Sequence, residues 1–260
     1  MYHFIVNINS RTGKAKRIWE DLQKELDRRE IGYAVHITKY AGHAIDISRK
    51  LVKTYDGEPI KIIVLGGDGT FNETVAGLMT IDRKSRPVLG YIPAGSTNDF
   101  AASMGLSGTL REAARVTVSA HQTRIDIGHF RPLGMNHPPA RHFSYIASFG
   151  AFTKASYTTP QSVKNALGHT AYVLSGISEL TQIRKEHVRL EMADRVVEDD
   201  FIFGAICNST SVGGILTLDP KVVDMSDGKF EVMMVRAPKS LAEITECIQA
   251  LQSQKYNCNM

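Results

Sequence analysis

Over its first hundred residues the chain alternates short apolar runs with longer stretches in which every third or fourth residue is apolar. Phe4 to Ile8 is a run of the first kind and predicts a strand. From Lys14 to Arg29, the residues Ala15, Ile18, Trp19, Leu22 and Leu26 fall at helical spacing, which puts Trp19 on the buried stripe of a helix. Val35 and Ile37 alternate with polar neighbours as a second strand, and Ala44, Ile47 and Leu51 share one face of a helix over Gly42 to Val52. Ile60 to Leu65 is almost continuously apolar, as expected of a strand covered on both faces of a parallel sheet. Phe71 to Met79 predicts the next helix and Val88 to Ile92 a fourth strand. Strands that alternate with helices predict right-handed crossovers and a doubly wound, three-layer α/β domain, here over residues 1–122.

Beyond residue 122 the rhythm changes. Ile125 and Ile127 alternate with polar residues, and Pro132, Pro138 and Pro139 mark a hairpin loop. His142 to Phe149, Val188 to Met192, Phe201 to Cys207 and Phe230 to Val235 predict strands, interrupted by one helix over Val163 to Leu180. Ser240 and Glu243 stand at capping-box spacing before a last helix that reaches Leu251. Residues 123–260 are therefore expected to form a second, β-rich sandwich domain.

Composition narrows the partners. An apolar fraction of 43% and a charged fraction of 22% exclude a disordered chain and a disulfide scaffold. A net charge of +4 permits an acidic partner, such as a nucleotide or an anionic lipid surface, and is too weak to argue for nucleic acid. The three cysteines show no C-x-x-C spacing, and no apolar stretch approaches the ~20 residues of a membrane span, so a cytoplasmic protein is expected.

Polar, Gly- or Ser-rich turns at 9–13, 66–70 and 95–98 each follow a strand, so all three are expected on the carboxyl edge of the sheet, where ligands bind. The richest is Gly66-Gly67-Asp68-Gly69-Thr70-Phe71-Asn72-Glu73. Its glycines let backbone amides approach a ligand, and the helix that follows offers unpaired N–H groups and a positive dipole end suited to phosphate. Thr70 and Glu73 have capping-box spacing and could simply start that helix. Asp68 needs another reason, because a carboxylate among phosphate-binding amides repels the ligand unless it holds Mg²⁺, a hydroxyl or water. The spacing is neither that of a Walker A loop nor G-x-G-x-x-G.

The string Gly66-Gly67-Asp68-Gly69-Thr70 resembles the family of diacylglycerol kinases, sphingosine and ceramide kinases and bacterial lipid kinases, with phosphofructokinases and NAD kinases more distant. Pro93-Ala94-Gly95-Ser96-Thr97-Asn98-Asp99-Phe100-Ala101 is similar to that family's second phosphate loop, with Ser96 in place of the usual Thr. Asn7, Ser10 and Gly13 resemble its opening loop, although Ile8 stands where Pro is customary, and Thr38 with Gly42-His43-Ala44 resembles the segment after its second strand. Arg124 to Gly128, Ala166-Leu167-Gly168 with Tyr172, Gly213-Gly214, Asp219-Pro220 and Asp224 to Gly228 extend the likeness to about Leu251.

The resemblance implies a nucleotide-binding domain of the NAD kinase and phosphofructokinase type, followed by a lipid-substrate domain. It implies ATP held by Asn7, Ser10, Thr38, Gly66, Gly67, Asp68, Gly69, Thr70, Asn72, Gly95, Ser96 and Asn98, with Asp68 organising Mg²⁺ as the catalytic acid residue. Asp126 would join a polar network near the site. Asp224, Asp227 and Lys229 would hold a structural Mg²⁺, although an Asp-Gly turn that merely closes a hairpin reads the same way. The family continues with further strands and an Asp-Gly-Glu segment that supplies a general base; of the chain's Asp-Gly pairs only Asp56-Gly57 precedes a Glu, Glu58, in a loop before the third strand where it cannot serve, so no base is carried over. The chain is expected to lack that C-terminal segment, leaving strand edges that a second copy could cover as a homodimer. The expected activity is transfer of phosphate from ATP to a lipid alcohol, diacylglycerol first, at the inner membrane face. The alternatives are a paralogue that binds nucleotide or lipid without turnover, and NAD kinase, which the Pro93 to Ala101 loop and the Asp227-Gly228 turn disfavour.

Overall fold

β1 (Tyr2–Val6), β2 (Tyr33–Ile37), β3 (Lys61–Gly66) and β4 (Val88–Pro93) form one parallel sheet in the order β2-β1-β3-β4. The computed structural model describes residues 1–11, 13–55, 60–80, 87–106, 122–133, 139–150, 184–214 and 216–256. The helix expected over 163–180, with Ala166, Leu167, Gly168 and Tyr172, lies outside them.

Alternation along each strand sends side chains to two faces. Phe4, Val6, Ile63, Leu65 and Ile92 pack against Ala15, Trp19, Leu22 and Leu26 of α1 (Lys14–Arg28). Ile5, Ile62, Val64 and Tyr91 pack against Ala44, Ile47 and Leu51 of α2 (His43–Thr54) and against Phe71 and Val75 of α3 (Asp68–Met79). Handedness accounts for the split. The step from β1 to β2 runs one way across the sheet, while the next two steps run the other way, so right-handed crossovers put α1 opposite α2 and α3. The reversal falls between β1 and β3 and opens a crevice at their carboxyl ends. A short helix, α4 (Asp99–Ser103), follows β4.

The first compact unit comprises Met1–Tyr145 and Met225–Gly228, which moves the expected boundary from residue 122 to Tyr145. Side-chain anchors explain the extension. The Asn72 carboxamide oxygen on α3 accepts hydrogen bonds from the Ser144 N–H (2.9 Å) and hydroxyl (3.2 Å). Asp126 accepts from the Gly228 N–H at 2.6 Å and donates its own N–H to Met225 at 2.8 Å. Ile125 and Ile127 are not in a strand; they pack on the α2–α3 core, and β5 (Gly128–Phe130) begins after them. The strand expected from His142 to Phe149 is broken into β6 (Arg141–Phe143), which pairs with β5, and β7 (Ile146–Gly150). The break falls at Ser144, whose donors are drawn to Asn72.

The second unit, Ile146–Asp224 with Lys229–Met260, is antiparallel. Its axis is β9 (Val196–Cys207), longer than the expected Phe201–Cys207 because the exposed, charged first half has no apolar run to announce it. β9 pairs with β8 (Glu186–Glu191) along that first half, and with β7 and β12 (Glu231–Arg236) along the second. β10 (Ser211–Val212) and β11 (Leu216–Thr217) form a small ribbon. The last helix, α5 (Leu241–Ser253), starts as expected: the Ser240 hydroxyl accepts from the Glu243 N–H at 3.2 Å.

Candidate functional site

Three strand ends converge in the first unit. β1 ends at Val6, and the Asn7 N–H donates to the Leu65 carbonyl of β3 at 2.9 Å. The Asn7 side-chain amide donates to the Thr70 hydroxyl at 3.1 Å, tying the first loop to the first turn of α3. Gly67 and Gly95 meet backbone to backbone: a Cβ on Gly95 would lie 2.5 Å from the Gly67 Cα, so only glycine permits this approach. The loops after β1, β3 and β4 are thus in contact.

Beside them lies a cavity of about 420 Å³, lined by Asn7, Asn9, Ser10, Thr38, Lys39, Tyr40, Ala41, Gly67, Gly69, Thr70 and Glu73. α3 begins earlier than the apolar pattern announces, with Gly67 as its extended N-cap and Asp68, Gly69 and Thr70 as its first turn. The first amides of a helix have no intrahelical acceptor, so this end presents donors and a positive dipole beside the cavity. The lining adds hydroxyls, carboxamides, one ammonium (Lys39) and one carboxylate (Glu73). Thr70 and Glu73 do not form a capping box. The Thr70 hydroxyl accepts from Asn7, and a Glu73 carboxylate oxygen accepts from the Gly42 N–H at 2.9 Å, which holds the start of α2 against α3.

Of the expected nucleotide residues, Asn7, Ser10, Thr38, Gly67, Gly69 and Thr70 line this cavity, and Gly66, Asp68, Asn72, Gly95, Ser96 and Asn98 do not. Gly66 leaves room for Thr70, since a Cβ there would lie 2.8 Å from its hydroxyl oxygen. Asn72 anchors Ser144. The Gly95 N–H donates to the Asn98 side chain at 2.8 Å, and Ser96 is exposed.

Asp68 is buried, and both of its oxygens are engaged. One accepts from the Asp99 N–H at 2.9 Å; the other accepts from the Phe100 N–H at 3.2 Å and the Tyr91 hydroxyl at 3.3 Å. Asp68 therefore caps α4 and ties the second loop to the first. Burial, followed by the charge of Asp99, pushes its carboxyl above the usual range, while the three donors pull it back. The Tyr91 hydroxyl is itself pushed up by burial and by Asp68, which keeps it a donor.

Sequence reading missed Lys39, Tyr40, Asn9, Ala41 and the cavity-facing position of Glu73. The first two directly follow β2, and the rule that ligands sit at carboxyl ends of strands reaches them. Asp227 is exposed in the Met225–Gly228 turn, and its neighbours Asp224 and Lys229 belong to the second unit. A carboxylate and main-chain oxygens are the donor types a hard ion takes, and among the described residues no group of three His, Cys, Asp or Glu could hold a metal. No described helix is long and apolar enough to cross a membrane.

The chain is 31% identical over 239 residues to a diacylglycerol kinase of Staphylococcus saprophyticus, covering 91% of this chain and 73% of that one. It is 31% identical over 232 residues to the diacylglycerol kinase of Bacillus subtilis, covering 88% and 72%. The crystal structure of a diacylglycerol kinase from Bacillus anthracis superposes with a TM-score of 0.68 at 24% identity, over 100% of this chain and 78% of that one. Residues 1–130 match the diacylglycerol kinase catalytic domain, and the chain belongs to that family.

Proposed function

We propose that the protein transfers the γ-phosphate of ATP to the hydroxyl of a lipid alcohol, with diacylglycerol as the first candidate. The observation that supports this most is the cavity at the switch point of the parallel sheet, where the opening turn of α3 meets Asn7, Ser10 and Thr38. Amides at the start of α3 receive the phosphates, Lys39 adds the one positive charge of the lining, and the hydroxyls and carboxamides receive the remaining polar groups of the nucleotide. The lipid oxygen bonds to the γ-phosphorus as the bond to the β-phosphate oxygen breaks, ADP leaves, and the hydroxyl proton passes to solvent water. Phosphoryl transfer is catalysed chiefly by positioning and charge neutralisation, and Mg²⁺ accompanying ATP supplies part of the latter.

Asp68 is assigned a positioning role: with three donors on its carboxylate it fixes the second loop, and no metal step is routed through it. The protein acts in the cytoplasm, at the inner face of the membrane.

Labelled ATP offered with a panel of lipid alcohols, and separately with NAD, tests the reaction. Transfer to a lipid and none to NAD is the expected result. ATP binding without transfer would favour a binding protein, and transfer to NAD would replace the reading. Gly69→Val, whose added methyls enter the cavity, should abolish ATP binding in calorimetry while the fold survives, since a Cβ there meets no atom within 4 Å.

A further inference from the structure

We infer that Tyr40 is the platform on which the nucleobase of the phosphoryl donor stacks. The inference rests on the kinase reading of the cavity and gives that cavity a direction, with phosphates at one end and base at the other. Tyr40 lines the cavity and is 60% exposed. A lone exposed tyrosine is ordinary. This one is held by three contacts. The His43 N–H donates to the Tyr40 carbonyl at 3.2 Å, closing a turn whose third residue, Gly42, has φ +88° and ψ −10°. Those angles suit the third position of a type II turn and favour glycine there. The turn folds the His43 ring back onto the Tyr40 ring, with centroids 4.5 Å apart and planes inclined by 23°. The His43 Nδ1 accepts from the Lys39 N–H at 3.0 Å, which fixes the imidazole. The Tyr40 hydroxyl donates to an Asp46 carboxylate oxygen at 3.3 Å, which fixes the phenol. One face of the phenol is thus taken by His43, and among the described residues no other ring lies against the opposite face.

Charge sets the direction. The first turn of α3, at Gly67, Gly69 and Thr70, supplies the amides and the positive dipole end that suit phosphate. Glu73 follows Gly69 by four residues, about 6 Å along the helix at 1.5 Å per residue. Its carboxylate lines the cavity and accepts from the Gly42 N–H at 2.9 Å. That acid repels phosphate, so the triphosphate stays at the first turn of α3 and the uncharged end of the nucleotide takes the part of the cavity bordered by Glu73 and the Tyr40 turn. Stacking asks for an aromatic face and not for a particular hydrogen-bond pattern. A ring already immobilised by its own neighbours loses little freedom when a base settles on it.

Calorimetry of the full chain with ATP, and with inorganic tripolyphosphate, which keeps the phosphates and lacks the base, tests the platform. Tyr40→Ala should weaken ATP binding about ten-fold, the scale of one base–aromatic stack, and leave tripolyphosphate affinity within about two-fold. Tyr40→Phe keeps the ring and gives up only the bond to Asp46, so ATP affinity should stay within about three-fold of the wild type. Tyr40→Trp puts an indole on the same turn, and ATP but not tripolyphosphate should quench its emission; the single native tryptophan, Trp19, is buried in the α1 layer. Wild-type ATP affinity in Tyr40→Ala overturns the platform and leaves the kinase reading standing. So does an equal loss of ATP and tripolyphosphate, which would make Tyr40 a wall of the phosphate end. A wild type that binds neither ligand overturns the kinase reading itself, and the platform with it.

Discussion

Gly66 to Thr70 and Gly95 to Asn98 share one grammar: each follows a buried strand, each holds glycine and a hydroxyl residue, and each runs into a helix. The structure gives them different roles. The first opens α3 beside a cavity, with the amides of its first turn free of intrahelical acceptors. The second opens α4, and there the Asp99 and Phe100 amides already point at the Asp68 carboxylate. A helix start is an anion site only while no internal acid has claimed it. Here the acid comes from the other loop, so one loop borders an open cavity and the other is held in place.

The largest test of this division is Asp68→Ala. It strips the acceptor from two buried amides and the Tyr91 hydroxyl, and should lower unfolding free energy by about 3 kcal/mol in denaturant titration. ATP affinity of the folded protein should fall less than ten-fold; loss of ATP binding at unchanged stability would mean both loops serve the ligand. Next comes Gly95→Ala, whose methyl meets the Gly67 Cα and forces the loops apart. About 2 kcal/mol of stability should go, and calorimetry should record weaker ATP binding as the cavity wall shifts.

A smaller effect is a slope with pH. Because the Asp68 carboxyl is raised in the fold, the folded state holds its proton more tightly than the unfolded chain does. The stabilisation from that protonation is complete below the unfolded value near 3.9 and is lost as pH rises through the native value. The wild-type advantage over Asp68→Asn should therefore shrink with rising pH, and growth instead would reverse the assignment. Smallest of all, Ser96→Ala should change stability by less than about 0.5 kcal/mol and ATP affinity by less than two-fold. A large loss of affinity would return the second loop to the phosphates.

Much of the first unit was legible in sequence because its signals are local. The runs at Phe4, Ile62 and Leu89 and the stripe through Ala15, Trp19, Leu22 and Leu26 each report the face they bury, whereas Val35 is exposed. Of the three turns expected on one sheet edge, those after β1 and β3 border the cavity and the one at 95–98 does not line it. The partners of Asp68, the Asp99 and Phe100 amides, lie 31 and 32 residues away and leave no pattern in the sequence. Nor does the sequence around Asn72 announce its bond to Ser144, 72 residues distant. The start of β9 escaped because Glu198, Asp199 and Asp200 obscure the alternation, their exposed or half-buried positions asking for nothing apolar.

The first unit closes with Met225–Gly228, so its last piece leaves the ribosome only after the whole of residues 146–224. Until then the backbone N–H and carboxylate of Asp126 have neither of the partners that segment brings, Met225 and Gly228. The amino-terminal unit cannot be completed in order of synthesis. A fragment ending at Tyr145 would carry every cavity residue yet lack this late stitch, and translation must pass Gly228 before the first unit is fully fastened.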